Sequence, residues 1–304
     1  MEPDLDHSSG GKWSSKAFIH ARKPCVIVRP AHFPSEMGGS LFVYGGMRIT
    51  AIISLHQVSY TYDKLAETSI LSSLSLQAHS GEFASIIGAS GSGKSTLFKL
   101  MAGLLQPSLG EIRLHGKPAP NRLGKIAYMP QKDLLLPWRT ILGNCQLPLE
   151  LTCSNPHYTT IQIMELLERF GLAGYEQAYP DELSGGMRQR AAFLRTLVTG
   201  QELLLLDEPF GALDAMTKRG MHKWLLELWS DLGKTVLFIT HDLEEAILLS
   251  DRIYLLPSAA NEAQGMQEIV VPLPRPRHYE QNYEPDFIKL RQDLERRLHA
   301  QTSN

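Results

Sequence analysis

The 304-residue chain has little cysteine, no long apolar run and almost no surplus of charge of one sign. Its three cysteines, Cys25, Cys145 and Cys153, are odd in number and make no C-x-x-C pair. That argues against a disulfide framework or a zinc site and fits a reducing compartment. Thirty Lys+Arg stand against 32 Asp+Glu, a net charge of −2, so no global field gathers nucleic acid or anionic lipid. The best candidate for a membrane span, Leu41 to Ile53, is too short to cross a bilayer and carries Arg48. The N-terminus lacks the basic flank and apolar run of a secretory signal. Work at a membrane would therefore need a recruiting partner. Internal repeats are absent too. What is present is ordinary for a globular protein, 43% hydrophobic and 20% charged, with ample length for a large core.

Residues 1–46 mix Ser, Gly, His and Pro without a sustained period and read as a disordered extension or as text ahead of a translation start at Met47, which opens the patterned segment. Leu74, Leu76 and Ala78 alternate with polar neighbours, as do Ile112 and Leu114 before Gly116, which predicts half-buried antiparallel strands. Three short runs differ: Phe83 to Ile87, Leu203 to Leu206 and Val236 to Ile239 are apolar, Ser85 excepted, and end in turn or polar residues. Such runs predict strands covered on both faces, hence a parallel sheet with its site at the carboxyl ends. Helices are expected over Thr96 to Leu105, 159–170 and 184–199, so that about 133–196 forms a helical lobe inserted in the α/β core. The tail, 259–304, carries Pro272, Pro274 and Pro276 with Arg275 and Arg277, then a charged helix over about 284–300.

Gly88-Ala89-Ser90-Gly91-Ser92-Gly93-Lys94-Ser95 fits G-x-x-x-x-G-K-[ST] at every position, between an apolar strand and the helix that takes in Thr96. Glycines let backbone N–H groups wrap phosphate oxygens, and the helix start adds its positive dipole end. Lys94 would neutralise the β- and γ-phosphates, and the Ser95 hydroxyl would ligate Mg²⁺. The bland alternative, a flexible Gly/Ser turn, does not account for the strand before and the helix after.

Asp207, 113 positions after Lys94, closes the Leu203–Leu206 run and would hold Mg²⁺ through water. Glu208 points elsewhere and could polarise an attacking water. Alone, the pair reads equally well as solvated acids before Pro209. A phosphate loop upstream favours the catalytic reading.

Leu183-Ser184-Gly185-Gly186-Met187-Arg188-Gln189-Arg190, 23 positions before Asp207 at Ser184, resembles the signature of the ATP-binding-cassette family. Ser184 reads as a helix N-cap, and Gly185 and Gly186 permit close backbone approach to an anion. The resemblance covers about residues 50–258 and implies an α/β fold: a P-loop NTPase core with a mostly parallel sheet, an antiparallel β subdomain and an inserted α-helical subdomain. It implies ATP and Mg²⁺ as cofactors and a homodimer in which Ser184 of one copy meets the γ-phosphate held by the other. Gln131 resembles the glutamine that reaches Mg²⁺ and senses the γ-phosphate, and Leu213-Asp214 resembles the loop crossing the dimer interface. His241 is similar to the switch histidine on the γ-phosphate. Tyr62, with Tyr60 as competitor, resembles the aromatic that stacks on adenine. Met187 and Gly211 depart from the glutamine and serine of many members.

Leu134-Leu135-Leu136-Pro137-Trp138-Arg139-Thr140, followed by Asn144 and Leu147-Pro148-Leu149, resembles the permease-facing segment of nitrate/sulfonate/taurine-type importers. The implied protein is an ATPase at the cytoplasmic face of the membrane, energising solute import through a separate permease, with a solute-binding protein as indirect partner and no nucleic acid. The plain alternative for Pro137-Trp138 is a loop anchored by one buried aromatic. Two other functions stay open at this level. A cassette ATPase acting on nucleic acid or protein would not co-purify with a membrane protein. A P-loop small-molecule kinase would yield a phosphorylated product and has no use for Ser184 or His241.

Overall fold

A computed structural model describes residues 43–302 apart from 45–46, 49–50, 63–68, 152–157, 212 and 258–264. The expected extension over 1–46 therefore lies almost wholly outside the described residues. Its last described pair, β1 (Val43–Tyr44), forms a small antiparallel ladder with β2 (Met47–Arg48).

β3 (Ala51–Tyr60), β4 (Leu71–His79), β6 (Leu109–Leu114) and β7 (Lys117–Pro118) make a four-stranded antiparallel sheet in the order β4-β3-β6-β7. Leu74, Leu76 and Ala78 face inward and their neighbours outward, as the alternation predicts. Where β3 bulges at Gln57, a Cβ on Gly110 would sit 2.3 Å from the Gln57 carbonyl oxygen, so only glycine fits opposite the bulge.

The second sheet holds β5 (Phe83–Ile87), β8 (Ala127–Met129), β9 (Leu203–Asp207), β10 (Thr235–Ile239), β11 (Arg252–Leu255) and β12 (Gln267–Val270), in the order β8-β9-β10-β5-β11-β12. All pairings are parallel except β11 with β12. β5, β9 and β10 are buried at every position, which is why their sequences are apolar apart from Ser85, Asp207 and Thr235. Phe83, Leu204, Leu206, Val236 and Phe238 pack with the helical lobe. Ala84, Ile86, Leu203, Leu205, Leu237 and Ile239 pack with α1 (Lys94–Ala102) and the antiparallel sheet. The parallel sheet is thus the middle layer.

The lobe consists of α2 (Ile141–Leu151), α3 (Thr160–Arg169), a 3-10 turn at Pro180–Glu182 and α4 (Gly185–Val198). Thr159 and Gln162 close a capping box on α3, which fixes the start that the sequence places at 159. α2 fills a part of the expected helical lobe to which the sequence reading assigns no helix. α5 (Ala215–Leu232) and α6 (Leu243–Leu249) follow, and the tail contributes β12 and α7 (Pro285–Thr302). Arg277 is buried and donates to the carbonyls of Ile247, Ser250 and Leu273, so the Pro/Arg segment is pinned to α6. Among the described residues no helix is long and apolar enough to cross a membrane.

Candidate functional site

The loop from Gly88 to Gly93 leaves β5 and enters α1 at Lys94. Two of its glycines are dictated by space. A Cβ on Gly88 would lie 2.8 Å from the Leu256 carbonyl oxygen, and Gly93 has φ +90° with Leu71 Cδ2 only 2.7 Å from a notional Cβ. The Ser92 N–H donates to the Ala89 carbonyl, 3.2 Å, closing the loop, while Ser90 and Gly91 are exposed at its tip. Lys94 Nζ donates to the carbonyls of Gly88 (2.9 Å) and Ala89 (2.8 Å), so the ammonium lies across the loop. Burial lowers the Lys94 pKa, against the opposing pull of Glu208 and Asp207. Those two carboxylates are its electrostatic neighbours.

Asp207 ends β9, buried, and accepts from Ser95 and from the Tyr128 hydroxyl at 3.3 Å. Burial raises its pKa, the two hydroxyls offset part of that, and Glu208 adds to the rise. Ser95 and Asp207 are hard oxygen donors side by side at a strand end, the chemistry a magnesium ion takes. A divalent cation would relieve the cost that burial imposes on this carboxylate. Among the described residues no cluster of three or more His, Cys, Asp or Glu offers an all-protein metal cage.

Glu208 turns out of line with φ +46°, a left-handed backbone that costs a non-glycine residue about 1 kcal/mol or more. The turn is held by its N–H donating to the Ile239 carbonyl, 3.0 Å. It carries the carboxylate to Gln131, whose Nε2 donates to Oε2 at 2.9 Å, and to His241, whose Nδ1 is 3.5 Å from the same oxygen. Six sequence-predicted residues on four segments therefore meet: Lys94, Ser95, Asp207, Glu208, Gln131 and His241.

The two tyrosines separate by burial. Tyr60 belongs to the core, whereas Tyr62 is 61% exposed and its hydroxyl pairs with Thr96 Oγ1 on α1 at 3.3 Å. Tyr62 packs edge-on against Tyr60 and exposes the rest of its ring to solvent.

The signature residues have a different setting. Ser184 caps α4 by accepting from the Met187 N–H at 3.3 Å and is otherwise exposed, as is Gly185. Gly186 is buried: a Cβ there would press to 3.2 Å on Thr217 Cγ2. Asp214 is exposed and caps α5, accepting from the Met216 and Thr217 N–H groups. Among the described residues no hydrogen bond joins Ser184 or Asp214 to the phosphate loop.

A cleft of about 390 Å³ runs between the Gln131–Leu134 segment and Gly185, Arg188 and Leu213. The segment is bolted to α4. Arg195 donates to the carbonyls of Asp133 (2.6 Å) and Leu134 (2.7 Å), and Arg188 pairs with the Asp133 carboxylate at 3.3 Å. Asn144, fully buried, accepts from the Leu136 N–H and donates to the carbonyls of Leu136, Arg139 and Thr140. Trp138 is 71% exposed, which rules out the alternative of a loop anchored by a buried aromatic.

Sequence reasoning missed Tyr128 on Asp207, and Lys218, His222 and Glu245 behind His241. His241 lies before α6 and Asp214 caps α5, and the contacts run between the two helices, so no spacing in the sequence signals them.

A family model described as ABC transporter matches residues 71–211. The formylaminopyrimidine import ATP-binding protein ThiZ of Halalkalibacterium halodurans is 45% identical over 74% of this chain and 86% of its own length. The aliphatic sulfonates import ATP-binding protein SsuB 1 of Rhodococcus jostii is 40% identical over 76% and 89%, and the nitrate import ATP-binding protein NrtD of Synechocystis 38% over 74% and 86%. Among solved structures, a dimeric bacterial ABC transporter cassette superposes with a TM-score of 0.64 at 30% identity, over 73% of this chain and all of that one. Cassettes of this kind bind ATP. The chain belongs to the ATP-binding-cassette transporter family, as one of its ATP-hydrolysing subunits, and its relatives are import subunits of the nitrate, sulfonate and taurine kind.

Proposed function

We propose that two copies of this chain sandwich ATP and that its hydrolysis drives a separate membrane permease on the cytoplasmic face of the membrane, importing a small solute. The observation that carries the reading is the contrast between a gathered cluster and a bare signature. Lys94, Ser95, Asp207, Glu208, Gln131 and His241 converge, while Ser184 and Gly185 stand exposed at a helix start where, among the described residues, no acceptor meets their N–H groups.

Lys94 would exchange the carbonyls of its own loop for β- and γ-phosphate oxygens. Ser95, Asp207 and Gln131 would hold Mg²⁺, which supplies charge neutralisation on the phosphates when bound. Glu208, steadied by Gln131, orients and polarises the attacking water, and His241 and Lys94 stabilise charge on the transferring phosphoryl group. Tyr62 would stack on the adenine. Asp214 and Ser184 would face the other copy. The exposed Trp138 and its loop, organised by Asn144 and bolted to α4 by Arg195, form the surface on which a permease segment docks, so that closure of the dimer moves the permease. The solute belongs to the range of the relatives, a formylaminopyrimidine, sulfonate, nitrate or taurine, delivered by a solute-binding protein.

The test uses Glu208→Gln in saturating Mg-ATP at high protein concentration. Light scattering should show a stable dimer that disappears when ATP is withdrawn. A variant that stays monomeric would sink the sandwich. Recovery of the wild-type protein with an integral membrane protein separates the importer from a cassette acting on nucleic acid.

A further inference from the structure

Between the start of α5 and the switch histidine lies a buried set of charges that the chemistry above leaves unused. Lys218 and His222 follow Asp214 by four and eight positions, on one face of α5. They meet Glu245 of α6, which is 3% exposed and accepts from His222 Nε2 (2.8 Å), from Lys218 Nζ (2.8 Å) and from the Thr240 hydroxyl. Lys218 also pairs with Asp242 at 2.9 Å. Asp242 caps α6 by accepting from the Glu244 and Glu245 N–H groups, and its own N–H donates to Thr240 Oγ1 at 3.0 Å.

His241 therefore sits between two residues, Thr240 and Asp242, that are both locked into this cluster. Its own ring is exposed. Burial raises the Glu245 pKa, but His222, Lys218 and Thr240 outweigh that and hold the carboxylate below its ordinary value. A buried ionised carboxylate is costly unless its partners stay in place, so the cluster resists deformation. The 3.5 Å from His241 Nδ1 to Glu208 Oε2 is at the limit of hydrogen-bond reach, where a shift of a few tenths of an ångström makes or breaks the contact.

We infer that Lys218 and Glu245 are positioning residues: they set the place of His241 and tie it to helix α5, whose cap is Asp214. A displacement of Asp214 by a second copy would then be carried along α5 to His241. The inference rests on the reading of Glu208 and His241 given above.

A cluster that merely staples α5 to α6 would affect folding and nothing else. The two are separated by measuring Lys218→Met and Lys218→Arg in the wild-type and His241→Ala backgrounds, by single-turnover ADP formation at high enzyme concentration. Lys218→Met should lower the rate about 10- to 100-fold with an unchanged apparent KM for ATP, as misplacement of a catalytic group does. Lys218→Arg should restore it. In the His241→Ala background Lys218→Met should cause no further loss, because it acts through that ring. Equal losses in both backgrounds, or no loss in the wild type, overturn the inference. Should Lys218→Met fail to fold, Thr240→Val, which keeps the shape and removes the hydroxyl under Asp242, must give the same pattern of loss. A wild-type protein indifferent to Glu208→Gln would sink the functional reading instead.

Discussion

The phosphate-loop cluster and the signature surface lie on the same chain, yet they are built to opposite rules. In the first, the charged groups have answers within the chain: Lys94 on loop carbonyls, Asp207 on Ser95 and Tyr128, Glu208 on Gln131. In the second, Ser184 and Asp214 satisfy only their own helix starts and turn the rest to solvent. A site with internal answers is preorganised for chemistry. A surface without them is, in the proposed dimer, the half that a second copy would complete, and α5 with the Lys218–Glu245 cluster lies between the two.

The largest effect should come from the finished half. Glu208→Gln should lower phosphate release by about 10²- to 10⁴-fold, the usual worth of a general base, while ATP binding, read with a fluorescent analogue, is kept. Activity surviving in that variant would break the comparison, since the cluster would then not be the chemical half. The link between the halves comes next. Lys218→Met should cost about 1.5–3 kcal/mol of unfolding free energy at pH 7, the worth of hydrogen bonds to charged groups. Glu245 and Asp242 have depressed pKa values in the fold, so their share of stability is present above their ordinary values of 4.5 and 3.8 and is lost as pH falls below them. Denaturant titrations should accordingly show the gap between variant and wild type closing below about pH 4; a gap that widens there would contradict an ionised Glu245.

Tyr62→Ala should weaken ATP binding by about 1–3 kcal/mol, the range of a base stacked on an aromatic ring, with little change in thermal stability. Tyr60→Ala should reverse that pattern, destabilising the fold because its ring is in the core. Ser184→Ala, the smallest change, should cost about 1 kcal/mol of stability through the lost cap. Its sharper signature is selective: ATP binding to the monomer is retained and ATP-dependent dimerisation in the Glu208→Gln background is weakened. Equal loss of monomer binding would place Ser184 in the wrong half.

How much of this was legible in the sequence follows the same division. Groups fixed by neighbours along the chain could be read: the Gly88–Ser95 loop, the apolar runs within β5, β9 and β10, the helix beginning at about 159 and the Ser184 cap. α2 was hidden because Gly143 and Pro148 interrupt its pattern, and tertiary packing by Ile141 and Cys145 overrides their propensity. The exposure of Trp138 and the burial of Tyr60 depend on what the fold brings opposite, which spacing alone does not give. Tyr128 on Asp207 and Lys218 on Glu245 are pairings between strands and helices distant in sequence, so each partner alone looks like an ordinary polar residue.

The guanidinium of Arg195 has one more consequence. Because it grips two successive carbonyls, those of Asp133 and Leu134, the loop bearing Trp138 cannot slip along α4 without stripping both carbonyls of their donor. Loop and helix are thereby tied at two adjacent points. In the proposed assembly a load on the tryptophan would be passed through Arg195 into the helix that the serine caps.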